Sequence, residues 1–176
     1  NWFDYLLTSS GRKAPSAFAR CEQGSDRVVR DLVRRTRTKS EVHAAKAARQ
    51  LLEVSPRHPA AACTLIRHDW EAAEAHLVQW DSIHGQNPRY LGELAARYYN
   101  RGPLPLAEAS LKKLIEVQPA VEAYLWLANI YRYNGEEERF LRTLEEALTI
   151  EDAGLAHVNV LIELADHYRL EKVWET

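Results

Sequence analysis

Residues 88–119 read PRYLGELAARYYNRGPLPLAEASLKKLIEVQP, and residues 121–152 read VEAYLWLANIYRYNGEEERFLRTLEEALTIED. Laid over one another, Tyr98 falls on Tyr131, Gly102 on Gly135, Leu111 on Leu144 and Pro119 on Asp152, each at an offset of 33 residues. Leu94-Ala95 falls on Leu127-Ala128 at the same offset. A fixed period in this range marks a chain of stacked copies of one supersecondary unit. Each copy reads as two helices. In the second, Tyr124, Leu127, Ala128 and Tyr131 recur at i, i+3, i+4 and i+7, which is one helix face. Asn134-Gly135 stops that helix, with Gly in a left-handed cap. Glu136, Glu137 and Glu138 then bring negative charge to the positive end of the next helix. Its buried face is Phe140, Leu144, Ala147 and Leu148. The first copy repeats the design with Leu91, Leu94, Ala95 and Tyr98, a break at Asn100-Arg101-Gly102-Pro103, then Ala107, Leu111, Leu114 and Ile115. The fold class is therefore all-α.

These residues resemble the tetratricopeptide repeat (TPR) family. The match in 88–120 lies on Leu91, Leu94, Ala95, Tyr98, Gly102, Ala107, Leu111 and Pro119. In 121–154 it lies on Tyr124, Leu127, Ala128, Tyr131, Gly135 and Ala147. Phe140 stands where the family has a small residue, and Asp152 where it has Pro. The bulky Phe140 is expected to push neighbouring helices apart or to fill a gap. The resemblance implies a right-handed α-α superhelix, a solenoid of antiparallel helix pairs.

The pattern extends outward in weaker form. Asp69 to Leu77 looks like a second helix, with Ala73 and Leu77 at its packing positions and a short Ala-rich helix from Pro59 to Arg67 before it. Glu41 to Val54 resembles another second helix, with Ala44, Ala48 and Leu51 inward. Leu161, Leu164, Ala165 and Tyr168 repeat the first-helix signature with no second helix following. That fits a solenoid cap or the place where a longer array was cut. The organisation expected is an N-terminal helical flank over 1–39 and a repeat array over 40–176. Its units are about 57–87, 88–120 and 121–154, with a terminal helix at 155–174. Within the flank, Trp2 to Leu7 is apolar, Thr8 to Ser16 reads as a loop, and Ser25-Asp26 caps a helix reaching about Arg37. That helix has the apolar stripe Val28, Val29, Leu32 and Val33.

Composition agrees with a globular helical chain. Of 176 residues, 46% are hydrophobic and 27% charged, with only seven Gly and seven Pro, which is neither disordered nor loop-rich. The length suits one domain or a short solenoid and is tight for two independent cores. Two Cys, Cys21 and Cys63, make neither a disulfide framework nor a four-ligand zinc site. No apolar run approaches the roughly 18 residues of a membrane span, and no signal peptide is visible. The chain opens at Asn1 and has no Met, where ordinary usage predicts about three or four. It is expected to be a piece of a longer protein, or a sequence from which modified methionines have dropped out. The net charge of −2 divides into +6 over residues 1–70 and −8 over 71–176. Such asymmetry fits two kinds of partner, head-to-tail self-association, or plain variation between repeats.

No enzyme signature emerges. His68, His76 and His84 are eight residues apart, so on one straight helix each is turned some 80° from the last and they cannot share a metal. No HExxH, CxxC, phosphate loop or nucleophile elbow occurs. No catalytic residue, metal or cofactor is expected. Arg27, Arg30, Arg34 and Arg37 sit at i, i+3, i+7 and i+10, a stripe able to follow phosphates or meet an acidic surface. Asp26 and Asp31 partly neutralise it, and no aromatic side chains interleave for base stacking. A solvated face is the plainer reading, and nucleic acid is not the expected partner.

The resemblance points instead to a concave groove lined by the first helices. It places Arg89, Ala96, Tyr99 and Asn100 there from one unit, and Glu122, Leu125, Asn129, Arg132 and Tyr133 from the next. The terminal helix adds Asn159, Asp166 and Arg169. Tyr, Asn and Arg are suited to anchor a peptide through ring area, amide pairing and a guanidinium fork. Asn129 matches a position that some family members use to clamp a terminal carboxylate. Trp126 and Glu163 stand where such a clamp wants Asn or a basic residue. The function expected is a non-catalytic scaffold binding a protein or peptide segment, with Tyr99, Asn100, Asn129, Arg132, Tyr133, Asp166 and Arg169 as contacts. The alternatives are an accessory region of a larger enzyme or assembly machine, or an Arg-stripe nucleic-acid binder. Compartment is not legible, with the cytoplasm slightly favoured.

Overall fold

The computed structural model describes residues 27–151 and 154–174. The expected segments at 2–7 and 8–16, the Ser25-Asp26 cap, Cys21 and the landmark Asp152 lie outside the described residues. Those described form ten α-helices and no strand. They are α1 (Arg27–Thr36), α2 (Glu41–Val54), α3 (Pro59–His68), α4 (Trp70–Glu74), α5 (Leu77–His84), α6 (Pro88–Arg101), α7 (Leu104–Val117), α8 (Val121–Tyr133), α9 (Glu137–Leu148) and α10 (Leu155–Trp174). The chain divides into two compact units, Asn1–Pro103 and Leu104–Thr176.

In the first unit, α2 packs between α1 and α3, and α3 also packs on α4 and α6. Ala44, Ala48 and Leu51 are completely buried, as their spacing requires. The small Ala side chains let the helix axes approach closely. On α1, Leu32 and Val33 are buried while Val28 is exposed, so its inward stripe is narrower than the sequence suggests. Helix α3 is buried from Pro59 through Ile66, because other helices cover it on several sides. It starts at His58, whose Nδ1 accepts the Ala60 N–H at 3.1 Å. Pro59 follows at the first helical position, where no N–H is missed. One inner cluster joins Cys63, Leu65, Ile66, Ala73, Trp80, Tyr90 and Leu94.

The helix expected over 69–77 is broken. The His76 N–H bonds the Ala73 carbonyl at 2.9 Å, an i→i+3 contact that tightens the last turn of α4. The chain restarts as α5, which buries Trp80 and His84. Helix α6 is capped by Asn87, whose Oδ1 accepts from the N–H groups of Arg89 at 3.0 Å and Tyr90 at 3.3 Å. Leu91, Leu94 and Ala95 are buried as expected, and so are Tyr90 and Glu93.

In the second unit, α7, α8 and α9 pack in chain order, and α10 lies on both α8 and α9. Leu127, Ala128 and Tyr131 of α8 are buried, as are Phe140, Leu144 and Ala147 of α9. Between α8 and α9 the backbone makes a Schellman cap. The Glu136 N–H bonds the Tyr131 carbonyl at 2.9 Å and the Gly135 N–H bonds that of Arg132 at 3.1 Å. Gly135 has φ 74°, where any side chain meets its own carbonyl and glycine alone is at ease. The stop read at Asn134-Gly135 is thus present in atomic detail. Phe140 fills a gap: its ring is buried, 5.6 Å from the His167 ring of α10 and beneath the Arg132 guanidinium at 5.5 Å.

Candidate functional site

The outer end of α8 gathers the most conspicuous surface groups of the second unit. The packing stripe Leu127–Ala128–Tyr131 faces inward, so the helical period turns Asn129, Arg132 and Tyr133 away from it. Arg132 is engaged on three sides. Its guanidinium donates to Glu163 Oε2 of α10 at 2.5 Å and to Asn129 Oδ1 at 2.6 Å, and its flat face covers Phe140. Tyr133 is different: its side chain is 81% exposed. The ring sits on the last residue of a helix held by the Schellman cap.

Behind this row lies a second polar cluster. The Tyr131 hydroxyl donates to Glu108 Oε1 at 3.2 Å, and Lys112 Nζ donates to the same oxygen at 2.7 Å. Lys112 and Arg139 place cations 5.9 Å and 5.3 Å from the Tyr131 ring centre. Burial is the main cause holding the Tyr131 hydroxyl above its ordinary pKa. The hydrogen bond to Glu108 raises that of Lys112. Both groups therefore keep their protons at neutral pH, and the cluster braces α7 against α8. Asn134 Nδ2 and Arg139 donate to the two Glu136 oxygens at 3.1 Å and 2.6 Å, which holds the Glu136 carboxyl below the usual range.

The other candidate residues are spread over the chain. Tyr99 is half-buried and Asn100 exposed in α6 of the first unit. Asn100 Nδ2 donates back to the Ala96 carbonyl at 2.7 Å, so its amide partly closes on its own helix. Asp166 and Arg169 form an i, i+3 pair at 3.3 Å on α10. Leu125, assigned to the groove by resemblance, is buried. Arg27, Arg30 and Arg34 are exposed on α1, while Arg37 lies in the turn after it. Asp31 bridges Arg34 at 2.8 Å and Arg35 at 2.6 Å, which lowers the positive potential along the stripe.

The histidines are packing groups on separate elements. His68 ends α3, His76 precedes α5 and stacks on Trp80 at 5.1 Å, and His84 ends α5 against Tyr90 at 5.7 Å. Among the described residues, no three His, Cys, Asp or Glu side chains gather as metal ligands, and no helix is long and apolar enough to cross a membrane. Cys63 is enclosed, and its thiol is pushed up to about 12, first by burial and then by the Glu93 carboxylate. It is a core residue and not a nucleophile at neutral pH.

Sequence reasoning missed two polar pairings. Glu163 does not suit a carboxylate clamp because it is itself the carboxylate that pairs with Arg132. Its signal was an acidic residue 31 positions after Arg132, close to the repeat period and therefore near the neighbouring helix. Arg67 and Glu93 form a bidentate pair between α3 and α6, with Nε to Oε2 at 3.0 Å and a second, shorter contact from Nη2 to Oε1. Nothing in the local pattern marks Glu93 as inward. No family model matches this chain, and neither the curated proteins nor the solved structures contain a match to it.

Proposed function

We propose that the chain is a non-catalytic scaffold of TPR-like helix pairs that binds a protein segment along its first helices. The observation that carries this reading is Tyr133, a large ring on a rigid helix end with four-fifths of its surface open. Such a ring offers contact area at little cost in conformational entropy. Beside it, Asn129, Arg132 and Glu163 form an ordered polar row. A carboxylate on the bound segment competes with Glu163 for Arg132, while a backbone carbonyl takes a guanidinium N–H left over. The 33-residue repetition and the packing of α8 on α9 support a right-handed stack of the TPR kind.

The test is selection of binding peptides from a random library displayed on phage, followed by titration of those recovered. Tyr133→Ala should leave helicity and melting unchanged, because the ring is largely in water. It should weaken binding about 30-fold, equivalent to ~2 kcal/mol at a binding hot spot. Arg132→Ala is less informative, since it also removes the link to α10. If Tyr133→Ala binds every selected peptide as the unaltered protein does, the site lies elsewhere.

A further inference from the structure

Helix α5 is held unlike any other helix of the chain. Among the described residues it alone lies along no neighbouring helix. It has eight residues, and at each end the backbone leaves the helical ladder: at the Ala75-His76 turn before it, and over Gly85, Gln86 and Asn87 after it. A helix this short is not held by its own backbone hydrogen bonds, so side chains must attach it. The spacing of Leu77, Trp80 and His84 turns all three to one face. Trp80 is 1% exposed and His84 6%, and Leu77 packs on the same inner cluster as Trp80. Its other large apolar residues, Val78 and Ile83, are exposed and add no anchor.

Of the three anchors, His84 is the one that can gain a charge. Its ring lies 5.7 Å from the Tyr90 ring of α6, and its Nε2 is buried with no protein group bonded to it. The ionisable groups around it offer an imidazolium nothing. Tyr90 donates its hydroxyl to Asp81 Oδ1 at 2.6 Å, and burial holds that hydroxyl well above its ordinary pKa, so it stays neutral. Asp81, one turn back on α5, is exposed and takes that bond. His76 stacks on Trp80 at the other end of the helix and is only half-buried. Burial is the sole cause acting on the His84 imidazole, and it lowers the pKa; neither Arg89 nor Glu93, the charges of α6 next to Tyr90, acts on it.

We propose that α5 is a pH-released latch: protonation of His84 lets the segment from Leu77 to Gly85 leave the inner cluster of the first unit while the rest of that unit stays folded. In the closed position an imidazolium has neither water nor an anion. A helix with two remaining anchors and a break at each end detaches more readily than a whole core unfolds. Opening hydrates His84 and bares Trp80 and Tyr90. The open form takes up its proton at the ordinary imidazole value of about 6.5, and the closed form only at lower pH. Opening is therefore favoured as pH falls through that value and suppressed above it.

The experiment is hydrogen exchange of the full chain, followed amide by amide by NMR at pH 7.0 and pH 5.5 and corrected for the intrinsic pH dependence of exchange. At pH 7.0 the amides of α5 should open more readily than those of α3, and with a weaker response to low urea, since less surface is exposed. At pH 5.5 the opening of α5 should increase several-fold, towards a ceiling of about eightfold set by an imidazole of ordinary pKa. His84→Leu should remove that increase, and His76→Leu should keep it. In the unaltered protein the His84 ring carbons should titrate below the ordinary imidazole range, a reading that does not depend on how well the variants fold. Amides of α5 protected as strongly as those of α3 overturn the proposal, as does opening indifferent to pH. An increase that survives His84→Leu, one lost in His76→Leu, or a His84 ring titrating at the ordinary value overturns it equally.

Discussion

Glu93 is 4% exposed and Arg67 26% exposed, and they meet through two N–H···O contacts between α3 and α6. Removing two ions from water is costly, and only the bidentate geometry offsets that cost. Loss of either partner breaks a two-point contact whose carboxylate is almost wholly out of water. Glu93→Ala should therefore destabilise the fold by about 3 kcal/mol or more, measured by urea denaturation. The double change Arg67→Met with Glu93→Leu should recover most of that loss, because apolar groups of similar volume need no partner. Equal midpoints for Glu93→Ala and the unaltered protein would show that water satisfies Arg67. His84 supplies a pH dependence. It is buried, with Nε2 lacking any hydrogen-bond partner, and burial lowers its pKa. The unfolded chain therefore binds the proton more readily than the folded one, and stability falls as pH drops below the ordinary imidazole value of about 6.5. The urea midpoint should fall between pH 7 and pH 5, by less in His84→Leu. Parallel falls in both proteins would place the titration elsewhere.

At the scale of elements, the helix pair α8–α9 shows how local chemistry and packing agree. The Schellman cap at Asn134-Gly135 satisfies carbonyls that the helix end leaves open. Glu137 and Glu138 then occupy the first turn of α9, where the helix dipole favours negative charge. Ala147 has no exposed surface, on a helix that packs on both α8 and α10. Ala147→Glu forces a carboxylate into that packing and should cost several kcal/mol, through both volume and desolvation. A thermal melt within a degree of the unaltered protein would mean that Ala147 does not face its neighbour. The large ring of Phe140 is buried where the neighbouring His167 and Arg132 pack against it.

For the whole molecule, contacts run mainly between helices close in sequence, so each unit carries its own core. That is how a chain of this length accommodates two compact units, which a single globular core would not allow. In the second unit, Leu104–Thr176, α7, α8, α9 and α10 pack on one another, and Ala107, Leu111, Leu127, Ala128, Phe140 and Leu144 are buried. Expressed alone, residues 104–176 should show a helical circular dichroism spectrum and one cooperative thermal transition. A random-coil spectrum would show that its helices depend on residues before Pro103.

The 33-residue period, the helical faces and the turn at Gly135 were legible because each is dictated by local geometry: side-chain period, left-handed backbone, charge at a helix end. The inward positions of Ala44, Ala48, Leu51, Leu91, Leu94, Leu144 and Ala147 followed from spacing alone. Tyr133 could be placed on an outward face by the same arithmetic. What spacing could not supply was the identity of long-range partners. Glu93 lies beside Leu94 in an unremarkable acidic position, and only the approach of Arg67, 26 residues away, makes it a buried ion. Arg132 looked available until α10 brought Glu163 to it. The break between α4 and α5 and the exposure of Leu161 and Ile162 on α10 were likewise decided by how helices settle on one another. Period and capping are properties of a few neighbouring residues, whereas burial and pairing depend on which distant surfaces meet.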